Sequence, residues 1–308
     1  MIRISIALLF ILPVFSACKK DDDKPSGGGE LQFSFRFDPT QPRLNNIGLP
    51  ADLPAGHAAQ TPGFRAMSVH YIELAPDALT LLGKGAIVYM GAETNAGGSP
   101  AVDFDKAATA GEGVVFAKTN LKDMPPGTYQ WVRASVTYQN YDVKFNLKNL
   151  PVVGDLNGQG GTVASFVGFN TYISQVAPRS KSLAVNAAKK QGFWAFETQF
   201  SPPYDLYDSL LSGDAPAGAT TVVNPLFQTS PIPPGSCVVT GKFPVPLTIT
   251  GQETGTVTVT LSFSINNSFE WEDTNGNGQW DLYADDPSKN ERVVDMGLRG
   301  LMPGWEGE

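Results

Sequence analysis

Between residues 256 and 265 every second side chain is apolar. Val257, Val259, Leu261, Phe263 and Ile265 fall on one side, and Thr258, Thr260, Ser262 and Ser264 on the other. A period of two marks a half-buried strand, because successive side chains leave opposite faces of an extended backbone. The same pattern holds at 31–37, where Leu31, Phe33, Phe35 and Phe37 alternate with Gln32, Ser34 and Arg36. Further strand-like runs lie at 67–74, 86–90, 128–138, 142–147, 162–169, 193–200 and 246–250. Most are rich in Val, Thr, Phe and Tyr and are bounded by Gly, Pro or Asn. Helical signals are few. The best is 201–211, with Ser201 as a cap, Pro202 and Pro203 in the first positions and Gly213 past the end. The expectation is an all-β chain, an antiparallel β-sandwich with few short helices.

Two segments share a turn-then-strand form, Pro125-Pro126-Gly127-Thr128-Tyr129 and Pro233-Pro234-Gly235-Ser236-Cys237. In each, Pro followed by Gly sets a tight turn and a β-rich run leaves it. The body therefore reads either as one enlarged sandwich or as two related modules, 31–200 and 201–308. Two long segments without strong periodicity, 38–64 and 212–236, are expected to rim a binding surface, since long ordered loops are often functional. The strand at 67–74 together with Pro126-Gly127-Thr128-Tyr129 resembles a family of secreted copper-binding β-sandwich proteins encoded beside di-haem peroxidases. With His57 and His70 as the only histidines, no copper-ligand motif accompanies the likeness, and no site is carried over.

The chain opens with one positive charge, Arg3, and an uncharged, mostly apolar run over 4–15. That run is too short to cross a hydrocarbon core of about 30 Å as a helix, and small residues close it. Residues 1–17 read as a secretory signal. Phe15-Ser16-Ala17-Cys18 resembles the bacterial lipobox, although Phe15 stands where Leu is usual. The resemblance implies fatty acyl chains such as palmitate on Cys18, with ordinary cleavage and a free thiol as the alternative. Lys19-Lys20-Asp21-Asp22-Asp23 resembles the acidic export tract of surface-exposed lipoproteins in some Gram-negative bacteria; its alternative is a solvated spacer. Pro25-Ser26-Gly27-Gly28-Gly29 extends the tether over 18–30. These features imply a lipid-anchored protein of the outer membrane, facing outward.

Charge and cysteine count narrow the rest. The formal net charge is −8, and losing the leader, whose one charged group is Arg3, makes the mature chain more acidic. Such a surface repels phosphate backbones and anionic headgroups, so nucleic acid is not an expected partner. Of the two cysteines, Cys18 is assigned to lipid, which leaves Cys237 without an intrachain partner. Neither a disulfide framework nor a cysteine-based zinc site follows. Cys237, in a strand-like stretch, is expected as a small buried apolar residue.

One stretch carries metal-ligand chemistry: Asp273-Thr274-Asn275-Gly276-Asn277-Gly278-Gln279-Trp280-Asp281. Calcium takes six to eight hard oxygen donors. Asp273, Asn275 and Asn277 at alternate positions, the Gln279 carbonyl and Asp281 could ring one ion, with Gly278 at the sharp bend. The stretch resembles the first nine positions of an EF-hand or dockerin-type loop. It departs at the twelfth, where Ala284 replaces the bidentate Glu, so a substitute carboxylate is needed from Asp285, Asp286, Glu272 or Asp295. The alternative is an ion-free hairpin. Asp155-Leu156-Asn157-Gly158-Gln159-Gly160 reads as a plain Gly-rich turn.

Trp271, Trp280 and Trp305 cluster near the C-terminus. Exposed, they would form a stacking platform for sugar rings or anchor an outer-membrane protein partner; buried, they are core. Trp131 and Trp194 are expected in the core. His57 reads as a solvated loop residue, and on a regular strand His70 and Glu73 would face opposite ways. There is no HExxH, GxSxG, P-loop or dinucleotide fingerprint. The sequence thus favours a non-catalytic binding or scaffolding module with a structural calcium loop. Its alternatives are a glycan-binding accessory to a TonB-dependent uptake system and a hydrolase with spatially paired carboxylates.

Overall fold

The structure, a computed structural model, describes residues 28–45, 49–168, 170–215 and 238–307. The signal segment, Cys18, most of the tether, Phe169, Cys237 and most of the 212–236 segment lie outside the described residues.

In chain order the strands are β1 (Glu30–Asp38), β2 (His57–Gln60), β3 (Gly63–Ala75), β4 (Ala86–Met90), β5 (Glu93–Thr94) and β6 (Ala101–Asp103). Next come β7 (Val115–Asn120), β8 (Gly127–Leu150), β9 (Gly154–Phe166), β10 (Asn170–Val176), β11 (Leu183–Lys190), β12 (Phe193–Gln199) and β13 (Leu210–Gly213). The last are β14 (Val238–Ile249), β15 (Thr256–Ser264), β16 (Phe269–Glu272), β17 (Asp281–Tyr283), β18 (Val293–Asp295) and β19 (Leu301–Gly307). The helices among the described residues are single 3₁₀ turns. The chain is all-β, and its sheets pack face to face in a sandwich-like fold.

Strand β8 is the spine. Its first half pairs with β14 and its second half with β9, while β3 runs along the middle and β17 joins in parallel at Asn146 to Lys148. The sequence reads this strand as two runs, 128–138 and 142–147. The pairing explains the join, because Gln139 to Tyr141 bond to both β3 and β9 and all three side chains are buried, the polar ones included. A second sheet, ordered β19-β15-β1-β7, lies over the first half of β8, with β1 and β15 parallel over their full length. Gly29 leads into β1 under the 253–255 turn, where its N–H donates to Glu253 O at 2.6 Å. A Cβ on Gly29 would sit 2.4 Å from the Gly255 carbonyl, so the approach requires glycine.

Three cores result. The largest lies between the β1–β15 sheet and the first half of β8, where Phe33, Phe35, Leu261, Phe263, Met67 and Val132 are fully buried. At about 1.5–3 kcal/mol per buried side chain of this size, the alternating faces supply the drive that brings the two sheets together. The second is aromatic: Tyr141, Phe145, Phe196, Phe269, Trp271 and Trp280. The third packs Tyr138, Phe166 and Phe193 against Ile173 and Val176 of β10. The second half of β9 and most of β12 are therefore buried on both faces, which is why they lack clean alternation.

Strands on either side of residue 200 share sheets. β14 and β17 pair with β8, β15 with β1, and β16 with β2. The expected helix at 201–211 is instead a 3₁₀ turn, Asp205–Tyr207, followed by β13. Pairing of β13 with β12 outweighs the capping signals.

Candidate functional site

The small sheet β18-β16-β2 places most of the residues in question. Alternation along β16 sends Phe269 and Trp271 into the aromatic core. Glu270 is 4% exposed and belongs to a charged network instead. Its Oε2 pairs with Arg43 Nη2 and lies 3.6 Å from Arg299 Nη2, while Oε1 is 2.5 Å from His57 Nδ1. Arg299 also pairs with Asp295, and Arg43 Nε donates to the Asn267 carbonyl at 3.2 Å. Burial first, and then the neighbouring Arg43, depress the Arg299 guanidinium to about 9 against the pull of Glu270.

His57 is thus the first residue of β2, paired with a buried carboxylate, and not a solvated loop residue. The aperiodic 38–64 segment lines this site, as Arg43, Asp52 and His57 border a 290 Å³ pocket with Glu270, Asp295 and Arg299. Two guanidiniums answer two carboxylates, which is the balance buried charge requires. No serine, threonine or cysteine lines the pocket among the described residues. His57 therefore has an orienting carboxylate but no hydroxyl or thiol to activate there. Sequence spacing could not reveal this constellation, since Arg43 and Glu270 stand 227 residues apart.

The Asp273 loop hangs from the same sheet, with Asp273 N donating to the Gly56 carbonyl at 2.9 Å. Gly276 and Gly278 have φ of 70° and 71°, a region open mainly to glycine. Asp273 accepts from the N–H groups of Asn277 (3.1 Å) and Gly278 (2.8 Å). Asn275 Oδ1 accepts from Asn277 N, and Asn277 Oδ1 from Gln279 N. Both asparagine amides donate to Asp281 Oδ2, at 2.7 and 2.8 Å, and Asn146 donates to Asp281 Oδ1 at 2.7 Å.

The closing carboxylate is Glu291, which the sequence did not offer. It is 2% exposed and accepts from Thr274 N at 2.9 Å and Asp281 N at 2.8 Å. The four residues expected in that role are engaged elsewhere. Asp285 is exposed with both oxygens 3.1 Å from Asn149 Nδ2, and Asp286 caps Ser288. Glu272 pairs with Arg292, and Asp295 with Arg299. Burial foremost, with repulsion from Asp281 and Asp273 behind it, raises the Glu291 carboxyl above its ordinary value against the N–H groups of Asp281 and Thr274.

Among the described residues no group of three or more His, Cys, Asp and Glu is arranged to hold a metal. A calcium shell here must include the asparagine and backbone oxygens. The donors fit in kind: hard oxygens from Asp273, Asn275, Asn277, the Gln279 carbonyl, Asp281 and Glu291, with negative charge uncompensated. The Asp155 stretch is the start of β9, where Asp155 accepts from Asn149 N at 3.0 Å.

The three C-terminal tryptophans do not form a platform. Trp271 and Trp280 are 2% and 7% exposed in the aromatic core, while Trp305, on β19 in another sheet, is 36% exposed. Trp280 stacks edge-on against Phe269 at 4.9 Å, and its indole N–H donates to Glu291 O at 3.1 Å. Trp131 and Trp194 are half-buried, not core. Trp194 lines a 450 Å³ cleft with Phe196, Trp280 and Met296, rimmed by Asp214 and Arg292. No protein family, curated protein or solved structure matches the chain.

Proposed function

We propose that this chain is a lipid-tethered, non-catalytic binding module held by acyl chains on Cys18 at the outer face of the outer membrane. Its ligand cleft is the aromatic hollow of Trp194, Phe196 and Trp280, and a structural calcium loop shapes the wall of that hollow. One observation carries the reading: Trp280 and Glu291 belong to the loop and to the cleft at once. A calcium ion would supply the positive charge that Asp273, Asp281 and Glu291 lack. Asp273, Asn275, Asn277, Asp281, Glu291 and the Gln279 carbonyl would hold it. Fixing Glu291 in turn fixes the Trp280 indole above Phe269. The chemistry of the cleft, aromatic faces beneath a rim of Asp214 and Arg292, favours a ring-shaped polar ligand such as a glycan unit.

Thermal melting tests the loop. Calcium at about a hundredfold over its Kd adds about 2.7 kcal/mol, which raises Tm by several degrees. An unchanged Tm with and without chelator, in both the wild type and Asp273→Ala, overturns it. The tether is tested separately by the intact mass of the membrane-extracted protein, which should carry acyl chains on Cys18. An unmodified thiol there removes the proposed address.

A further inference from the structure

We propose that a second cavity, between β3–β8 and the β5–β6 hairpin, binds an uncharged, largely aliphatic small molecule bearing one hydroxyl or carbonyl group. The cavity holds about 420 Å³, within the size of ligand pockets, and lies apart from the aromatic cleft and the Asp273 loop. Leu82, Ile87 and Met90 line it and are 44%, 46% and 53% exposed. Large aliphatic side chains gathered around a concavity are poorly hydrated, and an apolar occupant removes that surface from water.

Besides Glu93, the polar groups along the wall are His70, Tyr71, Ser135, Asn170 and Thr137, and of these Thr137 is the one completely out of water. The β3–β8 register steps from Ser68–Tyr138 to Val69–Val136, so Thr137 has no partner on β3. Its carbonyl takes the N–H groups of Val167 and Gly168 at 2.9 and 3.2 Å, which fixes the backbone of the bulge. The side chain lines the cavity, is fully buried, and its Oγ1 has no hydrogen-bond partner. A buried hydroxyl left unmet destabilises the fold, and a bulge beside a cavity is a recurrent way to aim a side chain at a ligand.

Charge then selects the head group. Among the described residues lining the cavity there is no lysine or arginine, and Glu93 is the one carboxylate. Its Oε1 lies 3.1 Å from His70 Nε2, and burial lowers the His70 pKa against the opposing pull of Glu93. An anionic head would face Glu93 with no cation to receive it, whereas a hydroxyl or carbonyl can bond Thr137 at no charge cost.

The test is calorimetric titration of the full chain, carrying Cys18→Ser so that no detergent is needed, with decanol and with decanoate. Saturable one-to-one binding of decanol, with decanoate about tenfold weaker or more, is expected. Thr137→Val keeps the side-chain shape and should weaken decanol about fivefold to tenfold while raising Tm, since it deletes an unmet hydroxyl. Ile87→Asp, at an exposed position, should abolish decanol binding with Tm unchanged. Equal affinity for decanol and decanoate, full affinity in Thr137→Val, or no decanol binding by the parent chain each overturns the assignment.

Discussion

Beneath β1 and β15, Phe33, Phe35, Leu261 and Phe263 are fully buried among hydrocarbon. On β16, Glu270 is buried almost as completely, but among two arginines and a histidine. Both regions join strands that are far apart in the chain. They do so on different terms. The apolar core is held by many small contacts, so each truncation weakens it by degree. The charged network is held by balance, so removing one member leaves the others stranded in a dry place.

Glu270→Ala should therefore be the harshest single change. It removes the carboxylate that Arg43 and His57 share, leaves two guanidiniums with Asp295 alone, and should cost about 4 kcal/mol in denaturant unfolding. A loss below about 1 kcal/mol would show the network to be wet, and the contrast would break. Leu261→Ala in the apolar core should cost about 3 kcal/mol, through lost burial and the cavity left behind. Replacing Arg43, Glu270, Asp295 and Arg299 together with Met, Leu, Asn and Met removes all four charges and should stay within about 2 kcal/mol of wild type, far from the single change. A quadruple variant as damaged as Glu270→Ala would mean the charges do more than cancel.

The smallest effect lies at the Asp273 loop. The Glu291 carboxyl is raised in the folded state, so the native protein holds that proton more tightly than the unfolded chain does. Its contribution to stability thus grows as pH falls through the folded value and levels off near the ordinary 4.5. With chelator present, the melting temperature of wild type relative to Glu291→Gln should improve by about 1–2 °C between pH 7 and pH 5. A difference that stays flat across that range would sink the claim that Glu291 is crowded by like charge.

The same contrast decides what could be read from residues alone. Strands β1 and β15 were legible because one face is drier than the other, so alternation survives in the sequence. Strands β9 and β12 were legible only as β-rich runs, since burial on both faces erases the period. The tryptophans illustrate the limit from the other side. Trp271 alternates with two glutamates, which suggests a wet neighbourhood, yet the glutamate beside it is buried by Arg43, contributed by the other end of the chain. Glu291 was missed because the loop is completed ten residues beyond Asp281, after an intervening 3₁₀ turn, not at the fixed twelfth position of a helical hand. His57 was missed because its partner lies 213 residues away.

The placement of β1 has a mechanical consequence. This first strand sits between β15 and β7, so a pull on Gly29 runs along the strand and slides two whole ladders past their partners instead of opening bonds one after another. Single-molecule stretching from that end should meet high resistance and then one abrupt rupture of the whole body. Stepwise peeling of β1 at low force would show that the strand is a loose flap and not a keel.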